Sequence, residues 1–200
     1  MAALVVRAEE MTFEEFLVAY DGVSAEWVGG RVRVEDLSGR RRSQLKRFVG
    51  TVLQTWAESR QCGEVYLAPM AVRLSESVAL EPDVFFVRTE HAERVRQTHV
   101  EGAPDLVVDI LSRGTRNDVR GTRFYDYEAA GVPEIWVIDA DRRVAEAWRL
   151  GEDGRYDVVQ PGRLSVLESR SLPGARIAAE WLWRDPLPRQ TEIQKAWGLI

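Results

Sequence analysis

The chain carries one cysteine, Cys62, and two histidines, His91 and His99. A lone thiol rules out an internal disulfide and suits a reducing compartment, so a cytoplasmic location is expected. The two histidines sit in a polar stretch with no close cysteine or second histidine beside either, a spacing that does not match a zinc site. Positive charge is also short. Lys and Arg number 27 against 32 Asp and Glu, for a formal net charge of −5. That balance argues against a strongly basic, always-on nucleic-acid binder, whose non-specific affinity comes from neutralising phosphates. It leaves room for a local basic patch. No apolar run approaches the roughly 20 residues of a membrane helix, so no membrane partner is expected. The opening MAALVVRAEEMTFEEF lacks the charged start, apolar core and small cleavage residues of a signal peptide. No internal repeat stands out.

What is present is an ordinary globular composition, 45% hydrophobic and 30% charged over 200 residues. That is enough chain for one domain with a sizeable core. Its most informative stretch runs from Glu81 to Ser112, EPDVFFVRTEHAERVRQTHVEGAPDLVVDILS. Two strand-like apolar runs each carry a carboxylate. In a strand, residues two apart face the same way, so Asp105, Val107, Asp109 and Leu111 share one face and Leu106, Val108 and Ile110 the other. Asp109 therefore belongs in or near the core. A buried carboxylate without a partner costs several kcal/mol or changes protonation. A metal ion, or a cation from another element, would resolve that cost.

Thr12 and Glu15 form a capping-box pattern ahead of a short helix, Phe13 to Tyr20. Ala25–Val28 and 31–35 flank Gly29-Gly30, a two-residue hairpin signal. Residues 41–60 place Leu45, Phe48, Val49, Val52, Leu53 and Trp56 on one helical stripe. Arg40, Arg41, Arg42, Lys46 and Arg47 crowd its start, as either a solvated face or a phosphate-contacting patch. Strands are expected at 65–67 and 70–74, and a loop with a short helix at 89–102. A helix over 115–130 aligns Arg116, Arg120, Arg123 and Tyr127, either on the surface or facing the carboxylate strands. A strand at 134–139, a meander through 144–150, 156–160 and 164–168, and a last helix at about 175–183 follow. Tryptophans such as Trp136, Trp148, Trp181 and Trp183 suit a core or a dimer interface better than base stacking. The fold class is α/β, a mixed central sheet flanked by helices, with an N-terminal hairpin and a C-terminal antiparallel meander. The expected division is an extension at 1–11, a domain at 12–184 and a polar tail at 185–200.

Two carboxylates on adjacent strands beside a cationic row suit divalent-metal phosphodiester chemistry. By composition alone, strand-end aspartates are more often turn or cap residues. PDV at 82–84, GAPDLVVDILS at 102–112 and YEAAGVPEIWVID at 127–139 resemble the putative restriction endonuclease family of the PD-(D/E)XK nuclease superfamily. TFEEFL, EWVGGRV and GEVYLAPMAVRL match the same family in the same order, so the resemblance covers roughly 12–183.

The resemblance implies a restriction-endonuclease-like core and DNA cleavage dependent on Mg²⁺ or Mn²⁺. DNA would be the partner, and a homodimer is expected. It makes Asp83 and Asp109 metal ligands, with the Ile110 carbonyl beside them, and Glu26 an assisting acid. Leu111 fills the slot that is Lys in the superfamily pattern. The family's Lys, on the next helix four residues before a Tyr, is Arg123 here, and its helix-start His falls at Leu45. Asp105 reads as a strand-start cap instead. Arg stays protonated, so Arg123 can hold phosphate but cannot serve as a base. The alternative is a catalytically impaired relative that binds DNA or protein.

Overall fold

A computed structural model of the chain describes residues 5–7, 10–34, 39–111, 121–159 and 166–200. Helix α1 (Phe13–Ala19) starts at Thr12 with the expected capping box. The Glu15 N–H donates to Thr12 Oγ1 at 3.2 Å, and the Thr12 N–H donates to Glu15 Oε2 at 2.8 Å. Strands β2 (Ala25–Val28) and β3 (Arg31–Val34) form the hairpin, in register Glu26 opposite Arg33. Gly29 and Gly30 both take positive φ, 56° and 81°, as a primed turn requires. Glu35, the expected end of this strand, lies outside the described residues.

The hairpin belongs to a larger unit than expected. With β1 (Val5–Arg7), β5 (Ala71–Ser75), β6 (Val78–Leu80) and β8 (His99–Glu101) it makes a six-stranded sheet in the order β1-β3-β2-β6-β5-β8. A second six-stranded sheet holds β4 (Gly63–Leu67), β7 (Val84–Arg88), β9 (Leu106–Leu111), β10 (Glu134–Asp139), β11 (Val144–Leu150) and β12 (Tyr156–Val158), in the order β12-β11-β10-β9-β7-β4. It is mixed: β9 runs parallel to β10 and antiparallel to β7. Every residue of β9 and β10 is buried, which is why both read as near-continuous apolar runs.

Helix α2 (Arg40–Arg60) lays its apolar stripe on one face of this sheet, packing Leu45, Val49, Val52 and Leu53 against Val84, Phe86, Leu106, Val108 and Ile110. Helix α3 (Thr122–Ala130) and the first sheet cover the other face, where Tyr127, Val72 and Leu80 meet Phe85, Val107, Leu111 and Val137. The alternation expected along β9 is thus the division between two cores. Helix α1 closes the outer face of the first sheet by packing Phe13 and Phe16 over Trp27 of β2.

Two C-terminal expectations are corrected. The helix expected at about 175–183 begins only at Ala179 (α4, Ala179–Trp183), because Arg176–Ala178 form a strand, β14, with alternating exposed and buried residues. It pairs with β13 (Val166–Glu168), so the third meander segment leaves the main sheet for a two-stranded ribbon. The polar stretch 185–200 also contains a helix, α5 (Gln190–Ala196). Its Ile193 is buried in the core that contains α2, and Trp197 meets the Trp56 ring edge-on at 5.0 Å. Trp136 is fully buried in the core.

Candidate functional site

The site lies where the two sheets, α2 and α3 meet. Asp109 points from the middle of β9 toward the α3 side and is 1% exposed. Val84 pairs with Val108 in the antiparallel register of β7 and β9, which brings Asp83, one residue before β7, level with Asp109. Glu26 enters from β2 and is also 1% exposed. Arg123, in the first turn of α3, joins them. Its Nε lies 3.1 Å from Glu26 Oε1 as an ion pair. Its Nη2 donates to Asp109 Oδ1 at 3.2 Å, to the Glu81 carbonyl at 2.8 Å and to Tyr127 Oη at 3.2 Å. Arg33, opposite Glu26 in the hairpin, adds a second cation with Nη1 4.0 Å from Glu26 Oε2.

Arg123 is therefore not on the surface and faces the carboxylate strands. It is 1% exposed and bridges two acids from different sheets. Arg116 and Arg120, expected on the same stripe, lie outside the described residues. Burial pushes the Tyr127 hydroxyl well above its ordinary pKa, against the lowering influence of Arg123 beside it. The phenol stays protonated and keeps its O–H.

Asp83 has different partners. Arg42 Nε donates to its Oδ1 at 3.1 Å and Arg42 Nη2 to its Oδ2 at 2.9 Å. The Ile110 N–H donates to Oδ2 at 2.8 Å. Ile110 thus meets the site through its backbone, while its side chain packs in the α2 core. Leu111, which the resemblance places in the superfamily's Lys slot, is buried among apolar residues of the α3 side. Leu45, read as standing in the family's His position, is fully buried against the sheet. The residue of α2 that reaches the site is Arg42, one turn earlier. Sequence reading missed it because it lies in an arginine run whose members look alike.

Three other members of that run serve the fold. Arg41 Nη2 donates to the carbonyls of Leu182 and Arg184 at 2.6 and 2.9 Å, Lys46 Nζ to the Ala68 carbonyl at 3.0 Å, and Arg40 pairs with Asp185 at the surface. Asp105 is the cap it resembled in sequence. It accepts the Arg88 N–H at 2.9 Å and holds His91, whose Nδ1 lies 2.9 and 3.0 Å from its two oxygens.

Among the described residues no group of three or more His, Cys, Asp or Glu side chains could hold a metal ion. A hard cation of the Mg²⁺ type needs less, one or two carboxylates with water and substrate oxygens completing the shell. Asp83 and Asp109, level with each other on adjacent chain segments, are donors of that chemistry, so the residues present fit such an ion.

A family model described as putative restriction endonuclease (Uma2) matches residues 13–180. The chain belongs to the Uma2 family. The Uma2 chain also resembles a solved structure described as a putative nuclease belonging to DUF820, from Anabaena variabilis. The TM-score is 0.69 at 16% identity, over 86% of this chain and 97% of that one. At that identity the likeness concerns the fold, which is restriction-endonuclease-like. No curated protein matches the chain. Family membership makes the Uma2 protein nuclease-like, in a family that generally uses divalent metals. Among the described residues no helix is long and apolar enough to cross a membrane.

Proposed function

We propose that this Uma2 protein is a divalent-metal-dependent endonuclease that hydrolyses DNA phosphodiester bonds. The observation that carries this reading is the convergence of Glu26, Asp109 and Arg123, from β2, β9 and α3, in one buried ion-pair cluster beside Asp83. Buried ion pairs are poor stabilisers compared with apolar packing of similar volume. Their presence where the family's site is expected favours a chemical role.

In this reading Asp83 and Asp109 hold Mg²⁺ or Mn²⁺, with the Ile110 carbonyl beside them. An ion bound there supplies an activated water and offsets charge on the phosphoryl oxygens. Glu26 assists by fixing Arg123. Arg123 keeps its charge at every working pH and steadies the phosphate without taking a proton. Cleavage would leave a free 3′ hydroxyl. A homodimer in the cytoplasm completes the proposal.

The test incubates the purified full chain with supercoiled plasmid and Mg²⁺ or Mn²⁺. Nicking by wild type that is lost in Asp109→Ala is the expected result. Equal nicking by both would sink the proposal. Sedimentation of the same sample reports the oligomeric state.

One observation favours a second reading, a catalytically impaired relative that binds DNA or a protein. Each of the two proposed metal ligands already has a guanidinium on it, Arg42 on Asp83 and Arg123 on Asp109. Calorimetry separates the readings. No Mn²⁺ binding at millimolar concentration, with DNA binding retained, favours the second.

A further inference from the structure

An ionised carboxylate offers about four acceptor positions, two on each oxygen. At Asp83 three are taken. Arg42 Nε occupies one on Oδ1, while Arg42 Nη2 and the Ile110 N–H occupy both on Oδ2. One position on Oδ1 remains. The carboxylate is 1% exposed and Arg42 is 7% exposed, so neither exchanges freely with water.

Arg42 differs from its neighbours. Arg40 lies at the surface and Arg41 serves the α4 end of the chain, whereas Arg42 turns inward above the apolar stripe of α2. Its two-point grip on Asp83 leaves its own Nη1 buried without a hydrogen-bond partner. A buried, unsatisfied donor is destabilising, and the desolvation of a buried pair offsets much of its attraction. The arrangement is therefore a poor device for stability and a good one for orientation. A planar guanidinium gripping both oxygens fixes the carboxylate plane, which a single-point cation cannot do.

We propose that Arg42 is a positioning residue for Asp83, locking the carboxylate so that a single Oδ1 acceptor position is offered to a divalent cation. Asp83 is then a one-oxygen ligand with a preset direction. The inference rests on the reading of Asp83 and Asp109 as the metal-binding pair.

The test uses the full chain as wild type, Arg42→Lys and Arg42→Gln. Three quantities are measured: the Ile110 amide proton shift by NMR without metal, Mn²⁺ affinity by calorimetry, and the thermal midpoint. Arg42→Gln is expected to move the Ile110 amide upfield, as its charged acceptor turns away, and to weaken Mn²⁺ binding about tenfold or more. Arg42→Lys keeps the charge but not the grip, and recovers part of both. Should Arg42→Gln fail to fold, Arg42→Lys still carries the comparison. An unmoved Ile110 amide in the folded variants, or Mn²⁺ binding equal to or tighter than wild type, overturns the proposal. Absence of Mn²⁺ binding in wild type, with the amide still shifted in the variants, removes the metal-site reading and leaves Arg42 as the residue that orients Asp83.

Discussion

Arg123 Nε sits 3.1 Å from Glu26 Oε1, so the hairpin of the first sheet and the helix that follows β9 share one buried ion pair. The same guanidinium also holds Asp109. Removing either end leaves a charge in a site 1% exposed. Arg123→Ala and Glu26→Ala should each cost about 3–5 kcal/mol in urea unfolding, as broken buried pairs do. The double variant Glu26→Leu with Arg123→Met should cost well under the sum of the single losses. Additive losses would show that the two side chains act independently.

A second buried acid carries structure alone. Glu134 opens β10 fully buried. Its Oε2 accepts from Ser169 Oγ at 2.8 Å and from the N–H groups of Arg170 and Ser171 at 2.9 Å each, and its Oε1 accepts from Trp136 Nε1 at 3.0 Å. Glu134→Ala leaves buried donors unmet and should cost about 3 kcal/mol. Amide exchange at Arg170 and Ser171 should quicken while β9 stays protected. Unchanged exchange there would contradict this role.

What could be read in the sequence follows from which interactions are local. The stripe of α2, the Thr12–Glu15 box and the two faces of β9 are periodic and local, and they fold as patterned. Asp109 was readable as a buried acid because it interrupts an apolar strand. Its partner was not, because the Arg123–Glu26 contact depends on how two sheets stack. Arg42 stayed hidden for a related reason. Which arginine of the run turns inward is set by the docking angle of α2, which no local pattern of the run encodes. Ile177 fits a helix or a strand by hydropathy alone, and its pairing with Leu167 in β13 decided for strand.

Two glycines show where close approach constrains the chain. A Cβ at Gly63 would collide with the Val87 carbonyl and meet the Phe86 ring at 2.6 Å, with φ at 153° besides. Gly63→Ala should cost about 1–3 kcal/mol. A Cβ at Gly50, inside α2, would press first on Leu67 Cδ2, at 2.6 Å, the tip of a side chain that is 41% exposed and able to move. Gly50→Ala should be near neutral, since alanine's helix preference of about 1 kcal/mol offsets the shift. Thermal midpoints of the two variants check the contrast.

Arg123→Lys tests the chemistry at the same position. Lysine can lower its pKa when buried and move a proton, which arginine cannot. If the nuclease reading holds, plasmid nicking by Arg123→Lys should rise about tenfold over wild type and become pH-dependent, as proton transfer in the transition state predicts. Stability should fall, because one ammonium cannot replace contacts to Glu26, Asp109 and the Glu81 carbonyl together. A variant that folds and binds Mn²⁺ but nicks no faster would show that the cation at this position does not limit the rate.

Alkaline pH offers a test that needs no substrate. Burial pushes Tyr66 up to about 12, helped by Glu64, whose Oε2 accepts the phenol O–H at 2.5 Å. Burial also raises Tyr127, and raises Tyr156, whose hydroxyl donates to the Val132 carbonyl at 2.7 Å. Each is an acid with a folded pKa above its unfolded value near 10. The stability it contributes is fully present below that unfolded value and is lost as pH rises through the folded one. Urea midpoints should therefore not fall on account of these tyrosines until about pH 10 and should decline above it. Tyrosinate absorbance of the folded chain should lag behind that of the unfolded chain, and Tyr66→Phe should make the decline shallower. Ionisation of all five tyrosines together near pH 10, with the fold intact, would contradict the burial of Tyr127 and Tyr156 and the Tyr66–Glu64 contact.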